Sequence, residues 1–455
     1  MKQISQLMLM SLLIISSSCK KDWLDAKPNK NLVVPQTLQD LQAMLDNTLF
    51  VFNFGQPELG EIGSDDYYVL YPDWLGLSND FERNGYIWAK DIYNGQPNFD
   101  WTIPYERIFY DNYVLETVEN IPVDSTNFSN WNNVKGSALF TRGFNFYSLA
   151  DLFAKPFDST TADTDPGIPL RLHSDINAKS TRATVMQTYK QIIADLKASL
   201  LYLPALPAYK TRPSKTAAYA MLARTYLNMG NYSLALLYAD SCISLQPALI
   251  NYNTIDITLQ FPFPDFPTFN DEVIYFAALN YYGVIGNSVA IVDSTIYRSY
   301  ADNDLRKYLF IDTTDGHTRF KGGYDGYTGF GGIATDEIYL VSAECNARLG
   351  NIKIAMDRLN TLLENRWMTG TFTPLTSSTA DEALRLILNE RRKELIFRGL
   401  RWTDLRRLNK DPRFAVTLTR NLNGTIYTLP PNDNRYVYPI PDQEIQLSGI
   451  AQNPR

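Results

Sequence analysis

Between residues 65 and 99 the chain gathers side chains suited to holding a hydroxyl-rich ligand without transforming it. Asp65, Asp66, Tyr68, Trp74, Tyr93, Asn94, Asn98 and Phe99 stand among glycine, proline and asparagine in a stretch with no helical periodicity. A pyranose ring has an apolar C–H face that lies on tryptophan or tyrosine, while carboxylates and carboxamides bond its hydroxyls. Both aromatic types offer large area at small entropic cost. Tyr281, Tyr282, Tyr324 and Tyr327, from a second irregular stretch, are expected to close the same site. Long loops held by a rigid scaffold are common places for such sites.

Other chemistries fit less well. The chain holds 29 Tyr, 23 Phe and 7 Trp but only 2 His, His173 and His317. That leaves little for histidine catalysis or a multi-histidine metal centre. Asp65 and Asp66 are neighbours, whereas a glycosidase needs two carboxyl groups roughly 5 to 9.5 Å apart across a bond. Asp158, Asp163 and Asp165 share a loop but lack the calcium-loop spacing with its closing Glu. The glycine-rich run 321–332 lacks the Gly-Lys-Ser/Thr ending of a phosphate loop, and reads as a flexible loop. A net charge of -7 with no basic stripe gives no attraction for nucleic acid. The expectation is a binder, not an enzyme, with no cofactor and no metal.

The loops need a scaffold, and the sequence supplies a helical one. In Ala218–Pro247, Leu222, Tyr226 and Met229 recur at helical spacing, then Tyr232, Ala235, Tyr238 and Cys242, with Gly230 between the arms. Small Ala223 and Ala235 let two helices approach, and glycine closes the first of them. This is similar to a tetratricopeptide hairpin, which cannot bury its apolar face alone. Ala343, Gly350, Ala355 and Leu362 repeat the order of Ala223, Gly230, Ala235 and Cys242.

Further helices are expected at 37–45, from Pro104, over 132–153, and after Thr184 and Thr379, each of which begins a capping box with Gln187 or Glu382. In 389–408, Glu390, Arg391, Glu394, Arg398 and Arg401 share turns with Leu388, Leu395, Phe397 and Trp402, so buried Arg–Glu pairs between helices are expected. Cys242 and Cys345 read as small buried hydrophobes, and Trp88 and Trp101 as core. With 45% hydrophobic and 20% charged residues the chain is globular. The fold class is all-α, mainly helical: tetratricopeptide-like hairpins forming one scaffold, with long irregular loop regions and few short strands.

The first residues are an address. Lys2 precedes an apolar run from Leu7 to Ile15, then Ser16-Ser17-Ser18-Cys19. The run is too short for a spanning helix, which needs about 20 residues. Cysteine straight after small residues resembles a bacterial lipoprotein signal that leaves Cys19 as a lipidated terminus. The expected organisation is a signal peptide at 1–18, a tether at 19–35, an N-terminal region with the aromatic loop at 36–210, and hairpins with a C-terminal region at 211–455, the last two forming one compact body.

Several stretches together carry a resemblance. They are Cys19-Lys20-Lys21-Asp22-Trp23-Leu24, Ser64-Asp65-Asp66-Tyr67-Tyr68, Trp101 ahead of Tyr105-Glu106-Arg107-Ile108, ALFTRGFNFYSLADLF at 138–153, NERRKELIFRGLRWTDLRRL at 389–408, YPIPDQEI at 438–445 and terminal Gln452-Asn453-Pro454. In this order they resemble the SusD/RagB family of nutrient-binding outer-membrane lipoproteins of Bacteroidota. The resemblance implies a helical scaffold carrying a loop-built ligand face. It also implies a lipid anchor at the outer membrane facing the exterior, an oligosaccharide or peptide ligand, and a partner: a TonB-dependent SusC-like transporter. The alternatives are a peptide binder of the same family or a tetratricopeptide-type interaction scaffold.

Overall fold

Helices form where the apolar spacing asks for them and, in shorter pieces, where it does not. The computed structural model describes residues 34–326 and 329–455. The signal peptide, Cys19, most of the 19–35 tether and Tyr327 lie outside the described residues. Helix α1 (Leu38–Leu45) buries Leu41 and Leu45. After it the 50–103 region is not a continuous loop. It contains α2 (Leu59–Gly63), α3 (Tyr71–Gly76) and α4 (Asp80–Tyr86). Helices of five to seven residues span less than two full turns, so they leave no 3.6-residue period to read.

Helix α5 (Phe99–Val118) starts ahead of Pro104, which corrects the expected start. Asn98 caps it by accepting from the Trp101 amide at 3.1 Å, and Pro104 forfeits one internal bond inside the helix. Helix α6 (Phe128–Phe153) is buried on all sides over its second half, as a central helix must be. Helix α7 (Val185–Tyr202) opens on the expected capping box of Thr184 and Gln187. The hairpins follow as α8 (Lys215–Asn228) with α9 (Tyr232–Leu245), and, after α10 (Ser294–Ser299) and α11 (Arg306–Phe310), as α12 (Thr335–Arg348) with α13 (Ile352–Glu364). Helices α14 (Ala380–Glu394), α15 (Arg401–Leu408) and α16 (Asp442–Ser448) complete the chain. Thr379 caps α14, but the Glu382 carboxylate accepts from Ser378 rather than from Thr379, so this is half a capping box.

The long helices stack in order: α5 on α6, α6 on α7, α7 on α8, α8 on α9, α9 on α12, and α12 on both α13 and α14. Gly230 and Gly350 close their arms with φ of +71° and +84°, and little or nothing crowds the place of a Cβ at either. They are glycines for the left-handed backbone, not for space. Ala223, Ala235, Ala343 and Ala355 are fully buried at the crossings, and Tyr226 stacks on Tyr238 at 5.6 Å. Leu38–Arg455 form one compact unit. Among the described residues the strands occur in pairs only. Phe54–Gln56 runs beside Ala278–Leu279, Tyr67–Tyr68 beside Ile291–Val292, and Ile333–Ala334 beside Val273–Tyr275. Each pair staples one irregular stretch to another.

The 321–332 run is packed at its C-terminal end rather than loose. A Cβ on Gly332 would stand 2.3 Å from the Tyr275 carbonyl, so glycine there serves backbone approach. The expected buried Arg–carboxylate pairs are present. Arg306 meets Glu394 and Glu390, Arg366 meets Glu394, Arg391 meets Asp404, and Arg407 meets Glu344. Cys242 and Cys345 are buried and unpaired by disulfide.

Glu61, on α2, is buried among these charges without a cation of its own. It accepts from Ser64 Oγ at 2.9 Å and from the Gly399 amide at 3.2 Å. Burial, then the Asp66 carboxylate, pushes it up to about 8. The folded state therefore holds a proton that the unfolded chain releases near its ordinary 4.5, and stability falls as pH rises from there through about 8. Glu61→Gln should remove that fall, on the order of 2–4 kcal/mol, in denaturant melts compared at pH 5 and pH 8.

Candidate functional site

The two irregular stretches meet at one carboxylate. Asp100 stands at the second position of α5, where the helix dipole favours negative charge. It accepts from the Glu58 and Leu59 amides at 2.8 and 2.6 Å, from Asn280 Nδ2 at 2.5 Å and from the Tyr282 hydroxyl at 2.8 Å. Burial raises its affinity for a proton and these four donors oppose that. Four bonds on one carboxylate thus tie the start of α2 to the 280–282 segment.

The same segment is tied to α4. Tyr282 packs edge-on against Phe81 at 5.3 Å, and Glu82 accepts from the Val284 amide at 2.7 Å. Tyr68 pairs with Ile291 on the return strand. The 281–291 turn is thereby held beside α4 and the Tyr67–Tyr68 strand.

A small pocket lies under this turn, about 50 Å³, with Glu58, Asn280, Tyr281, Asn287, Lys321 and Phe397 among its lining. That is room for one hydroxyl or one water, not for a ring. Tyr281 is 54% exposed, and its phenol folds across Gly286, where a Cβ would come within 2.7 Å. Phe397 stacks on Phe320 at 4.7 Å. Lys321 is fixed by the Ile257 carbonyl at 2.9 Å. Burial, then the carboxylates of Glu61 and Asp100, pushes Glu58 well above the usual carboxylate range. That shift favours the protonated carboxyl, the form that can both donate to and accept from a hydroxyl.

Two residues after Tyr68, α3 buries none of its residues. Tyr71 and Leu75 are exposed, as are Tyr68 and Leu70 just before it. Trp74 is half-buried, donates its indole N–H to the Arg83 carbonyl at 3.1 Å and stacks with Tyr71 at 6.0 Å. An exposed apolar helix with its tryptophan fixed by a hydrogen bond has the character of a stacking platform.

The residues expected to bind ligand divide sharply. Tyr68, Trp74 and Tyr281 are brought to this face. Asn94 is exposed but bonds Asp80 at 3.1 Å as a turn residue, and Phe99 is exposed at the start of α5. The others are held inward by partners of their own. Asp65 accepts from Arg401 at 2.6 and 2.9 Å; burial works against its charge, but Arg401 and Arg392 hold it well below the usual carboxylate range. Asp66 is buried and paired with Arg392 at 3.0 Å. Tyr93 is buried and donates to the Pro439 carbonyl at 2.7 Å, Asn98 is spent on its cap, and Tyr282 is spent on Asp100. Tyr324 is buried, donating to Glu272 at 2.5 Å. In the structure these six side chains are engaged by partners within the protein. Asp100, Glu58, Asn280, Asn287, Lys321 and Tyr71 were missed. An acid two places after the capping Asn98 was the legible signal for Asp100; the others carry none in sequence.

The chain matches two family descriptions: starch-binding associating with outer membrane over residues 22–227, and SusD family over residues 335–455. It is 26% identical over 400 residues to a SusD-like protein P2 from Formosa agariphila, covering 72% of this chain and 74% of that protein. Its fold is similar to a SusD superfamily protein from Bacteroides thetaiotaomicron, with TM-score 0.72, 21% identity, and 92% and 100% of the two chains covered. It is also similar to a surface glycan-binding protein A from Bacteroides uniformis, with TM-score 0.65, 19% identity, and 91% and 98% covered.

Because Tyr93 is an internal donor, Tyr93→Phe should cost about 1 kcal/mol in a denaturant melt. Affinity for any ligand of the α3 face should be unchanged by calorimetry.

Proposed function

The chain belongs to the SusD/RagB family, and we propose that it is a cell-surface lipoprotein that binds an oligosaccharide nutrient and delivers it, chemically unchanged, to a TonB-dependent SusC-like transporter. The family is one of glycan-binding proteins associated with the outer membrane, which supports the ligand class and the place. The anchor is Cys19. One observation carries the ligand reading: an exposed aromatic helix, α3, follows the Tyr67–Tyr68 strand that pairs with Ile291–Val292, and the turn before Ile291 covers a pocket lined by the half-exposed Tyr281 and by Glu58, whose proton affinity burial raises. Sugar rings lie on Tyr71, Trp74 and Tyr281, and one hydroxyl enters the pocket to meet Glu58, Asn280 or Asn287.

The arrangement supports binding without hydrolysis. The neighbouring carboxylate, Asp100, has its oxygens committed to four donors, so it offers no lone pair to a water or to an anomeric carbon. Binding to a rigid face leaves the ligand intact for the transporter.

Calorimetry or affinity electrophoresis against a polysaccharide panel tests the proposal. Trp74→Ala and Tyr281→Ala should each weaken glycan binding about tenfold or more, ~1.4 kcal/mol. Melting should be unchanged for Tyr281→Ala, while Trp74→Ala also gives up the Arg83 bond and core packing and should melt lower. Binding to peptides and to no glycan would overturn the sugar reading, and reducing ends released from the bound glycan would overturn the absence of catalysis.

A further inference from the structure

A cleft of about 340 Å³ opens where α5, the 169–176 segment and α16 come together. It shares no lining residue with the Tyr281 pocket. One wall is aromatic. Trp101, Tyr105 and Phe109 recur every four residues along α5 and so line one face of it. Trp101 is 4% exposed and supports Tyr105 at 4.9 Å between ring centres. Tyr105 and Phe109 are half-buried, and the Tyr105 hydroxyl is fixed on the Pro169 carbonyl at 2.9 Å. The 169–176 wall is ordered in advance as well. Asn112 donates to the Arg171 and His173 carbonyls at 2.9 and 3.2 Å, and Glu116 accepts from the Ser174 amide at 3.1 Å. Ile176 stays 76% exposed, although it lines the cleft.

The polar groups of the lining divide by type. Its donors are largely taken: Asn112 as above, and Arg171 by the Ala178 and Asp175 carbonyls at 2.8 and 2.6 Å and by Ser180 Oγ at 3.1 Å. His173 Nδ1 lies 3.2 Å from Glu116. Two carboxylates are left over. Among the described residues Glu106 meets only its helix neighbour Tyr110, at 3.5 Å, and neither Glu106 nor Glu444 forms an ion pair. Glu106 is exposed and Glu444 half-buried, so an occupant of the cleft reaches both.

We propose that this cleft binds a protonated amino sugar. The inference rests on the glycan reading above and names a unit that the glycan carries. Carboxylates only accept, so their partner brings donors and positive charge, and an ammonium does so with three N–H groups. Aromatic faces favour a cation, and they also take the apolar C–H face of a pyranose ring. An anion placed here meets Glu106 and Glu444, and a neutral ring leaves both charges uncompensated. The volume lies near the lower end of the roughly 300–1,000 Å³ typical of small-molecule sites, which suits one or two rings rather than a longer chain. Such a site lets the protein select a glycan by a charged unit while the α3 face holds its neutral ones.

Saturation-transfer NMR at pH 6, where the sugar amine is protonated, tests the site with methyl glucosaminide, methyl N-acetylglucosaminide and N-acetyl-lysine amide as probes. The purified protein carries Tyr281→Ala, which weakens the α3 face. Transfer to methyl glucosaminide is expected, with the neutral N-acetyl form at least tenfold weaker. Adding Glu106→Gln and Glu444→Gln should reduce transfer to the amine at least tenfold and erase that difference. Neither carboxylate ties down another element among the described residues, so melting should not change. With Tyr281 restored, the two glutamine substitutions should leave affinity for neutral glycan intact, so this inference and the α3 reading fail separately. No transfer to the glucosaminide, equal transfer to the N-acetyl form, or transfer untouched by the glutamine substitutions would overturn the proposal. Stronger transfer to the lysine amide than to the glucosaminide would overturn it in favour of a basic peptide side chain.

Discussion

Two guanidinium groups shut away from water hold the irregular half of this protein to its regular half. Arg366, fully buried, engages Glu394 at 2.7 Å, Glu272 at 2.8 and 3.0 Å, and the Ile250 carbonyl at 2.9 Å. Arg306, also fully buried, engages Asp304, Glu390 and the other oxygen of Glu394. Glu394 at the end of α14 thus bridges both cations. In a buried network, losing one partner strands a charge at a cost of roughly 3–5 kcal/mol. The consequence is geometric: the 250–310 stretch has one place to sit against α14. Arg224 with Glu337, and Arg407 with Glu344, extend the same arrangement through the stack.

That fixed placement is what would make the proposed loop-built ligand face workable. Binding by mobile loops would charge the ordering of each loop against affinity. Here Asp100 gathers two amides, an asparagine and a tyrosine, and the Glu82–Val284 bond adds a second tie, so the 281–291 turn is ordered before ligand arrives. The aromatics left at the surface are those whose neighbours took up the interior bonds. Tyr282 faces Asp100 and Tyr281, one residue earlier, faces outward.

The hairpins contribute rigidity of another sort. Their crossings rest on small buried residues and on glycines that end the first arm of each, so α8–α9 and α12–α13 approach closely. They carry the two irregular regions as insertions between stacked helices. Among the described residues no helix is long and apolar enough to cross a membrane, so the membrane attachment proposed for the chain rests on Cys19.

Much of the scaffold was legible in the sequence. Long helices declare themselves by period: Ala223, Gly230 and Ala235 with their echo at Ala343, Gly350 and Ala355 announced the stack, and mixed Arg and Glu among Leu and Trp in 389–408 announced buried pairing. Composition announced an aromatic binder. What the sequence left open was which aromatics face water. Tyr281 and Tyr282, or Tyr68 and Tyr93, are the same residue type in similar surroundings; only the distant partner decides, Asp100 for one and the Pro439 carbonyl for another. Short helices such as α3 show no period, and a carboxylate's neighbours across 180 residues show no spacing. Periodicity is a local property that the chain carries by itself, whereas exposure and pairing at the ligand face are set by contacts between remote segments, and those exist only once the chain is folded.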